Sequence, residues 1–241
     1  PQHLTPELVV RSLAAYGGVV AGLAAGLGLG LVNRDRRTAE EITASVGSEL
    51  ALAAAGITMD VRGAENLWAE RPAVFIFNHQ SQLDVIIMAS LLRTDFTGVA
   101  KKELKTDPMF APLGWLADVA FVDRANTEEA KKALAPAVDA LRHGRSLAMA
   151  PEGTRSATPR LGPFKKGAFH VAMQAGVPIV PVVIRNAGEL MPSHGVLISS
   201  GTLDVAVLPP VSTRGWKRDD IDQEVERVRD MYLETLARWP R

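Results

Sequence analysis

The apolar residues at the start of the chain follow a helical pattern with small residues on one face. Residues 12–32 contain no charged side chain, and glycine recurs among them at every fourth position. The recurring glycines are Gly18, Gly22, Gly26 and Gly30. Since residues i and i+4 share one face of a helix, this spacing predicts a helix that a partner helix can approach closely. At 1.5 Å per residue the segment would extend about 30 Å, which is enough to cross the hydrocarbon core of a membrane.

The next segment, residues 38–55, is the predicted partner helix because it also carries an apolar line at i+4 spacing. That line consists of Ile42, Val46, Leu50 and Ala54. The connection contains Arg34, Arg36 and Arg37, which we expect to meet anionic lipid head groups. We interpret residues 1–56 as a helical hairpin that dips into or lies on one membrane leaflet. A packed hairpin of a soluble protein and a helix that spans the membrane are the alternatives.

From residue 57 onwards the pattern changes to short β-branched runs that alternate with longer amphipathic segments. This alternation predicts an α/β domain over residues 57–241, with a mostly parallel, mixed sheet of about seven strands flanked by helices. Strands are predicted at 57–61, 73–77, 96–100, 119–122, 146–150, 179–184 and 203–207. Helices are predicted at 83–92, 101–105, 127–142, 167–175 and 219–239.

The composition excludes several classes of function. The 27 basic and 27 acidic side chains cancel, so no overall positive field attracts nucleic acid, and any anion site must be local. There is no cysteine, which excludes disulfides, thiolate catalysis and cysteine metal sites. The five histidines show no metal-binding spacing, so we expect no metal site.

His79 is the strongest candidate for chemistry. It follows the predicted strand 73–77, at the strand end where open α/β sheets bind their ligands. Asp84 falls in the first turn of the predicted helix, and Ser81 and Asp84 form a capping-box pattern. From there Asp84 would hold one imidazole N–H, leaving the other nitrogen to take a proton from a substrate hydroxyl. The alternative is a helix cap beside an ordinary loop histidine.

Polar residues also follow two other predicted strands. Arg124 comes after strand 119–122, where it would clamp a phosphate or pair with Asp123 at the surface. After strand 146–150, Gly153 permits a tight turn, and Thr154 and Arg155 offer a hydroxyl and a guanidinium to an anion.

Glu152 occupies the same turn and has two predicted roles. It would accept a substrate hydroxyl, or it would pair with Arg155 or Arg124 and fix the anion site. Lys165 and Lys166 follow in sequence and are expected to add positive charge at the same rim of the sheet.

Four sequence blocks in this order resemble the glycerolipid acyltransferase family, over about residues 57–210. In that family the blocks read Asn-His-x4-Asp, Asp-Arg, Pro-Glu-Gly-Thr-Arg-Ser and an apolar stretch around a proline. They are matched by Asn78, His79 and Asp84, by Asp123 and Arg124, by residues 151–156, and by Pro178. One departure is Ala150, which stands before the third block where the family usually has phenylalanine.

The resemblance implies acyl transfer from a coenzyme A or acyl carrier protein thioester to the sn-2 hydroxyl of 1-acylglycerol 3-phosphate, which gives phosphatidic acid. His79 would be the general base and Asp84 its orienting partner, with no cofactor and no metal. Backbone N–H groups at the start of the following helix would stabilise the oxyanion. The implied substrate-binding residues are Arg124, Glu152, Gly153, Thr154, Arg155, Lys101 and Lys105.

The resemblance also implies peripheral or monotopic attachment to the cytoplasmic face of the cell membrane. Because some family members follow a phosphatase-like domain, the start at Pro1 is consistent with a fusion to another domain. Within the family, glycerol 3-phosphate, another lysophospholipid or a glycolipid are alternative acceptors. A lipid hydrolase is disfavoured because the sequence has no Gly-x-Ser-x-Gly elbow. A non-catalytic lipid-binding domain is the remaining alternative.

Overall fold

All seven predicted strands are present in one sheet. The computed structural model describes residues 4–108, 110–123, 129, 132–156, 158 and 160–240. The strands are β1 (Ile57–Arg62), β2 (Val74–Phe77), β3 (Phe96–Lys101), β4 (Ala120–Val122), β5 (Ser146–Met149), β6 (Ile179–Ile184) and β7 (Gly201–Val207). Their order is β1-β7-β6-β2-β5-β3-β4, and every neighbouring pair is parallel except β6 and β7. This confirms the predicted mostly parallel, mixed sheet.

The helices agree with the pattern where they are long. They are α1 (Pro6–Asn33), α2 (Arg36–Ala55), α3 (Asn66–Ala69), α4 (Leu83–Leu92), α5 (Ala111–Leu116), α6 (Ala135–Arg142), α7 (Gly167–Ala175), α8 (Ala187–Leu190) and α9 (Ile221–Ala237). The helix predicted at 101–105 is instead a 3-10 turn over Lys102–Thr106. Part of the helix predicted at 127–142 lies outside the described residues. The four-residue helices α3 and α8 are too short to show a helical period, so the sequence did not predict them.

The sheet carries one apolar core on each face. From β2, Phe75 and Phe77 pack with α4 on one face, while Val74 and Ile76 pack with α7 and α9 on the other. Successive side chains of a strand point to opposite faces, which explains this division. As a result, the helix that carries Asp84 and the C-terminal helix α9 cover opposite faces of the same strand.

The glycine face of α1 packs against α2 mainly through small residues beside the predicted apolar line, from which Leu50 contributes its backbone. The partner residues on α2 are Ala39, Thr43, Gly47 and Ala51. Val46 and Leu50 of the predicted apolar line are instead 38% and 44% exposed. A glycine face reaches its closest approach only to another face of small residues. A Cβ atom on Gly18 would lie 2.7 Å from the Ala51 nitrogen, which leaves no room for a larger partner.

Two of the connecting arginines contact the α/β domain, and a contact of these arginines with lipid head groups stays a prediction. Arg36 pairs with Asp118 at 2.7 Å and lies over the Trp115 ring, and Arg37 pairs with Asp95. These contacts attach the start of α2 to the loops before β3 and β4. Only Arg34 of the three stays free of such an ion pair among the described residues.

The outer surface of α1 is apolar and exposed. The helix is long and apolar enough to cross a membrane, but only 22% of its most apolar window is buried. Its large exposed side chains are Val10, Leu13, Val20, Leu27, Leu29, Leu31 and Val32. Val46 and Leu50 of α2 add to the exposed apolar surface of the hairpin. Contact of this surface with a membrane stays a prediction.

Candidate active site

The candidate site lies at the carboxyl ends of β2, β5 and β6. Asn78, the first residue after β2, is 1% exposed and ties β2 to the last residue of β6. Its Oδ1 accepts from the Ile184 N–H and its Nδ2 donates to the Ile184 carbonyl, both at 2.7 Å. This pair of bonds fixes the start of residues 78–84, which we name the catalytic loop after the predicted role of His79.

His79 and Asp84 meet as the sequence predicted. The His79 Nδ1 lies 2.8 Å from the Asp84 Oδ2, and Asp84 is fully buried. The same oxygen accepts the backbone N–H of Gln80 at 2.7 Å and of Ser81 at 2.8 Å. Because an ionised carboxylate can only accept, we assign the imidazole proton to Nδ1 from this pattern. The His79 Nε2 is then a proton acceptor on a side chain that is 17% exposed.

The capping pattern around Ser81 is formed in part. Helix α4 begins at Leu83, and the Ser81 Oγ accepts the Leu83 N–H at 3.1 Å rather than that of Asp84. Asp84 accepts the Ser81 N–H, as a capping box requires. The N–H groups of Gln80 and Ser81 therefore bind Asp84, and oxyanion stabilisation by backbone N–H groups at the start of α4 stays a prediction.

Glu152 binds backbone groups and not Arg155, whereas its other predicted partner, Arg124, lies outside the described residues and its contact with a substrate hydroxyl stays a prediction. It is buried, its Oε1 accepts the His79 N–H at 2.9 Å, and its Oε2 accepts the Gly162 N–H at 2.9 Å. Burial raises the pKa of the Glu152 carboxyl above its ordinary value, while these two backbone bonds oppose that rise. Both oxygens hold backbone, so Glu152 positions His79 and does not pair with Arg155.

The turn 151–156 holds His79 from a second direction as well. The Ser156 N–H donates to the His79 carbonyl at 2.8 Å, so both backbone polar groups of His79 are bound by this turn. Gly153 has φ of 72°, a left-handed conformation that favours glycine. A Cβ there would lie 3.0 Å from the end of the Lys165 side chain, which covers the turn.

The positively charged side chains of the turn 151–156 and of the residues after it have different partners. Arg155 is half-buried, and its Nη1 donates to the Ser193 carbonyl at 2.5 Å, a partner more than thirty residues away that no local pattern indicates. Lys165 lies against Gly153, whereas Lys166 pairs with Asp222 of α9 at 2.7 Å. Thr154 is exposed in the turn. Arg155 and Lys165 therefore lie in or against the turn that binds the backbone of His79.

The remaining predicted residues lie around β3 and β4. Arg124 falls outside the described residues. Its neighbour Asp123 pairs with Lys102, and this bond raises the pKa of the Lys102 ammonium. Lys101 ends β3 and Lys105 lies in the following 3-10 turn, and both side chains are exposed and make no hydrogen bond or ion pair to any residue that the structure describes. Like His79, they follow the carboxyl end of a parallel strand. In the sheet order, β5 lies between their strand, β3, and the strand of His79, β2.

Comparison with known proteins points to one family. Residues 58–185 match the acyltransferase family model. A 1-acyl-sn-glycerol-3-phosphate acyltransferase of Saccharomyces cerevisiae is 38% identical over 97% of this chain and 77% of its own length. The alpha form from Ovis aries is also 38% identical, over 74% of this chain and 62% of its own length. The Salmonella typhimurium enzyme of the same name is 34% identical, over 68% of this chain and 67% of its own length.

A solved structure shares the fold. The crystal structure of the 1-acyl-sn-glycerophosphate acyltransferase from Thermotoga maritima superposes with a TM-score of 0.76 at 22% identity. The match covers 95% of this chain and 97% of that one, so it includes the helical hairpin as well as the sheet.

Proposed function

Since the chain belongs to the acyltransferase family, we propose that it transfers a fatty acyl group from a thioester to the sn-2 hydroxyl of 1-acylglycerol 3-phosphate, forming phosphatidic acid. The relatives from yeast, sheep and Salmonella all carry the name of this activity. The observation that carries the proposal is the His79–Asp84 pair, in which a buried carboxylate holds a partly exposed imidazole at the rim of the sheet.

The pair has the groups that the reaction needs. The His79 Nε2 takes the proton of the acceptor hydroxyl as its oxygen attacks the thioester carbonyl carbon and forms the new C–O bond. The Asp84 carboxylate stabilises the imidazolium that results. Collapse of the tetrahedral intermediate then breaks the C–S bond, and the departing thiolate takes the proton back from His79. No covalent enzyme intermediate is needed, in agreement with a chain that has no cysteine.

The turn that binds the backbone of His79 offers two cations to the acceptor phosphate. Arg155 presents a guanidinium whose hydrogen-bond partner is an uncharged carbonyl, that of Ser193. A phosphate is a stronger partner for a guanidinium than a carbonyl is, so bound acceptor would take over this contact. Lys165 adds a second positive charge at the same turn. The donor is a thioester of coenzyme A or of acyl carrier protein, and both present the same reactive carbonyl.

The hairpin supplies the membrane contact. Its glycine face is covered by α2, and α2 is held to the α/β domain by Arg36 and Arg37. A spanning α1 would have to leave this partner, whereas a hairpin that lies on one leaflet keeps it. The exposed apolar side chains of α1 then face the lipid. We place the protein on the cytoplasmic face, where acyl thioesters are made.

The first experiment combines the protein with liposomes, lysophosphatidic acid and palmitoyl-coenzyme A, and measures thiol release and phosphatidic acid. We expect release that depends on the acceptor and that is lost in His79→Ala. His143→Ala is the matched control, because His143 is exposed and lies before β5, at the opposite edge of the sheet. Thiol release without acceptor, or full activity of His79→Ala, would contradict the proposal.

The membrane contact has its own test. Val20→Asp places a charge on the exposed face of α1, where Val20 is 58% exposed, and should weaken co-sedimentation with liposomes. Leu233→Asp is the control, because Leu233 is also exposed but lies on α9 of the α/β domain. Equal binding by both variants would show that the hairpin does not contact the lipid.

A further inference from the structure

Helix α9 contacts the segments that support the catalytic loop through two side chains that neither the sequence patterns nor the family comparison assign to the site. Tyr232 and Arg229 are three residues apart, so they lie on the same side of α9. Tyr232 is fully buried, and its ring packs edge-on against Phe164 at 5.1 Å between centroids. α9 covers the sheet face opposite to α4. These contacts therefore support the loop from the face of the sheet that does not pack against α4.

The hydroxyl of Tyr232 joins β2, which leads into the catalytic loop, to β6, which the Asn78 side chain binds. It donates to the Ile76 carbonyl of β2 at 2.7 Å and accepts the Val182 N–H of β6 at 3.2 Å. The Asn78 side chain joins Asn78 to Ile184. Ile76 comes two residues before Asn78, and Val182 comes two residues before Ile184. The Tyr232 bridge therefore precedes the Asn78 bridge directly, and together they set the spacing of β2 and β6 where His79 begins.

Arg229 reaches the other support of His79. Its Nε donates to the Gly162 carbonyl at 3.0 Å, and its Nη2 approaches the Leu161 carbonyl at 3.4 Å. The N–H of Gly162 binds the Glu152 carboxylate, whose second oxygen binds the His79 N–H. Arg229 thus holds the residue that orients Glu152, one step removed from His79.

We propose that Tyr232 and Arg229 are positioning residues for the catalytic loop, fixing the backbone of Asn78 and His79 so that the imidazole meets Asp84 in a single orientation. Burial raises the pKa of the Tyr232 hydroxyl well above its ordinary value, so the hydroxyl keeps the proton that it donates to Ile76. The alternative is that Tyr232 only fills the core beside Phe164. The inference rests on the proposed role of His79 as general base.

The test is Tyr232→Phe, which keeps the ring and removes only the hydroxyl. We expect kcat to fall about 10- to 100-fold, as for a small displacement of a catalytic group, while both KM values stay within about two-fold. Thr235→Val is the matched control, since the hydroxyl that it removes lies on the same helix and, among the described residues, bonds to the Met231 carbonyl alone. Arg229→Lys should lower kcat in the same sense and provides a second variant if Tyr232→Phe folds poorly.

A second readout does not depend on acyl transfer. Nitrogen NMR of histidine-labelled protein, assigned with His79→Ala, reports which ring nitrogen of His79 carries the proton. We expect the wild type and Thr235→Val to show the Nδ1–H form alone and Tyr232→Phe to show a mixture. Unchanged His79 signals, or a loss of kcat that only matches the loss of folded protein, would overturn the inference. Absence of acyl transfer in the wild type would instead count against the proposed function, and the NMR result would still decide the positioning role.

Discussion

The helical hairpin and the catalytic loop are both tightly packed, but by opposite means. The hairpin contact, formed by the glycine face of α1 and the small residues of α2, depends on the absence of side chains. The catalytic loop depends on buried carboxylates, Asp84 and Glu152, that bind backbone N–H groups from separate parts of the chain. The stability of the hairpin contact depends on side-chain volume. The stability of the catalytic loop depends on hydrogen bonds made by single polar atoms.

This difference predicts different sensitivities. A buried polar group that loses its partner costs about 1–3 kcal/mol even when its shape is kept. The catalytic loop should therefore respond to isosteric substitutions, which the hairpin contact should tolerate. The hairpin should respond to added volume, and only on the face that α2 covers.

The largest effect on turnover is expected from Asp84→Asn. The amide keeps the shape of the carboxylate, but it does not stabilise the imidazolium and can favour the wrong tautomer of His79. We expect kcat to fall by roughly 10⁴-fold, the order seen when the acid of a catalytic triad is replaced by its amide. Steady-state kinetics with both substrates measures this. A loss smaller than ten-fold would mean that Asp84 is mainly a helix cap.

Glu152→Gln should have the next largest effect. His79 and Gly162 bind different oxygens of Glu152, so in a glutamine one of these two N–H groups would face the amide NH2 group, which is a donor. We expect a loss of roughly 1–3 kcal/mol in unfolding free energy, with a clear fall in kcat. Glu189→Gln, at an exposed position of α8, is the control. A variant with normal stability whose only defect is a raised acceptor KM would instead restore the predicted substrate contact of Glu152.

Arg155→Ala should act on binding more than on chemistry. Removing a charged partner of a phosphate should raise the acceptor KM about ten-fold, equivalent to about 1.4 kcal/mol, with a smaller change in kcat. Arg214→Ala is the control, because Arg214 is exposed and follows the sheet at some distance in sequence from the rim turns. An unchanged acceptor KM would mean that cations other than Arg155 bind the acceptor phosphate.

The hairpin contact is tested by a pair of glycine substitutions. A Cβ on Gly22 would lie 2.5 Å from the Gly47 nitrogen, whereas a Cβ on Gly28 meets nothing within 4 Å. We expect Gly22→Leu to lower the unfolding free energy by about 1–3 kcal/mol through overpacking, and Gly28→Leu to leave it unchanged or raise it. Thermal unfolding in detergent measures the difference. Equal melting temperatures would mean that α1 and α2 do not depend on close approach.

The smallest effect on turnover is expected at Glu40, where α2 meets the α/β domain. Burial raises the pKa of the Glu40 carboxyl to about 7, although Arg145 at 2.6 Å favours the charged form. Because this pKa lies above the ordinary value of about 4.3, the folded protein retains a proton that the unfolded chain loses, and stability declines as pH rises between these two values.

Glu40→Gln should flatten that decline. Melting temperatures at pH 5 and pH 7.5 measure it, with Glu70→Gln, which is exposed, as the control. Parallel curves for the wild type and Glu40→Gln would assign the pH dependence to other groups.

The sequence predicted the elements well because their signals are local. The β-branched runs gave all seven strands, and the bounds of α4 and α7 agree with their apolar periods. It also predicted the contact of His79 with Asp84, since the two residues are joined by one turn. The sequence did not predict which face of α2 contacts α1. The pattern identified the most apolar line of α2, whereas the contact is made mainly by its smallest residues.

What the sequence determined by itself was the order of elements, the glycine face of α1 and the local pair of His79 and Asp84. Only the tertiary structure decided that Glu152 holds the backbone of His79, that Arg155 meets Ser193, and that Tyr232 bridges β2 and β6. These contacts join residues 38 to 156 positions apart. A periodic pattern carries information only about neighbours within a few turns, whereas the partner of a buried polar atom is set by how the sheet and its two helical layers bring distant segments together.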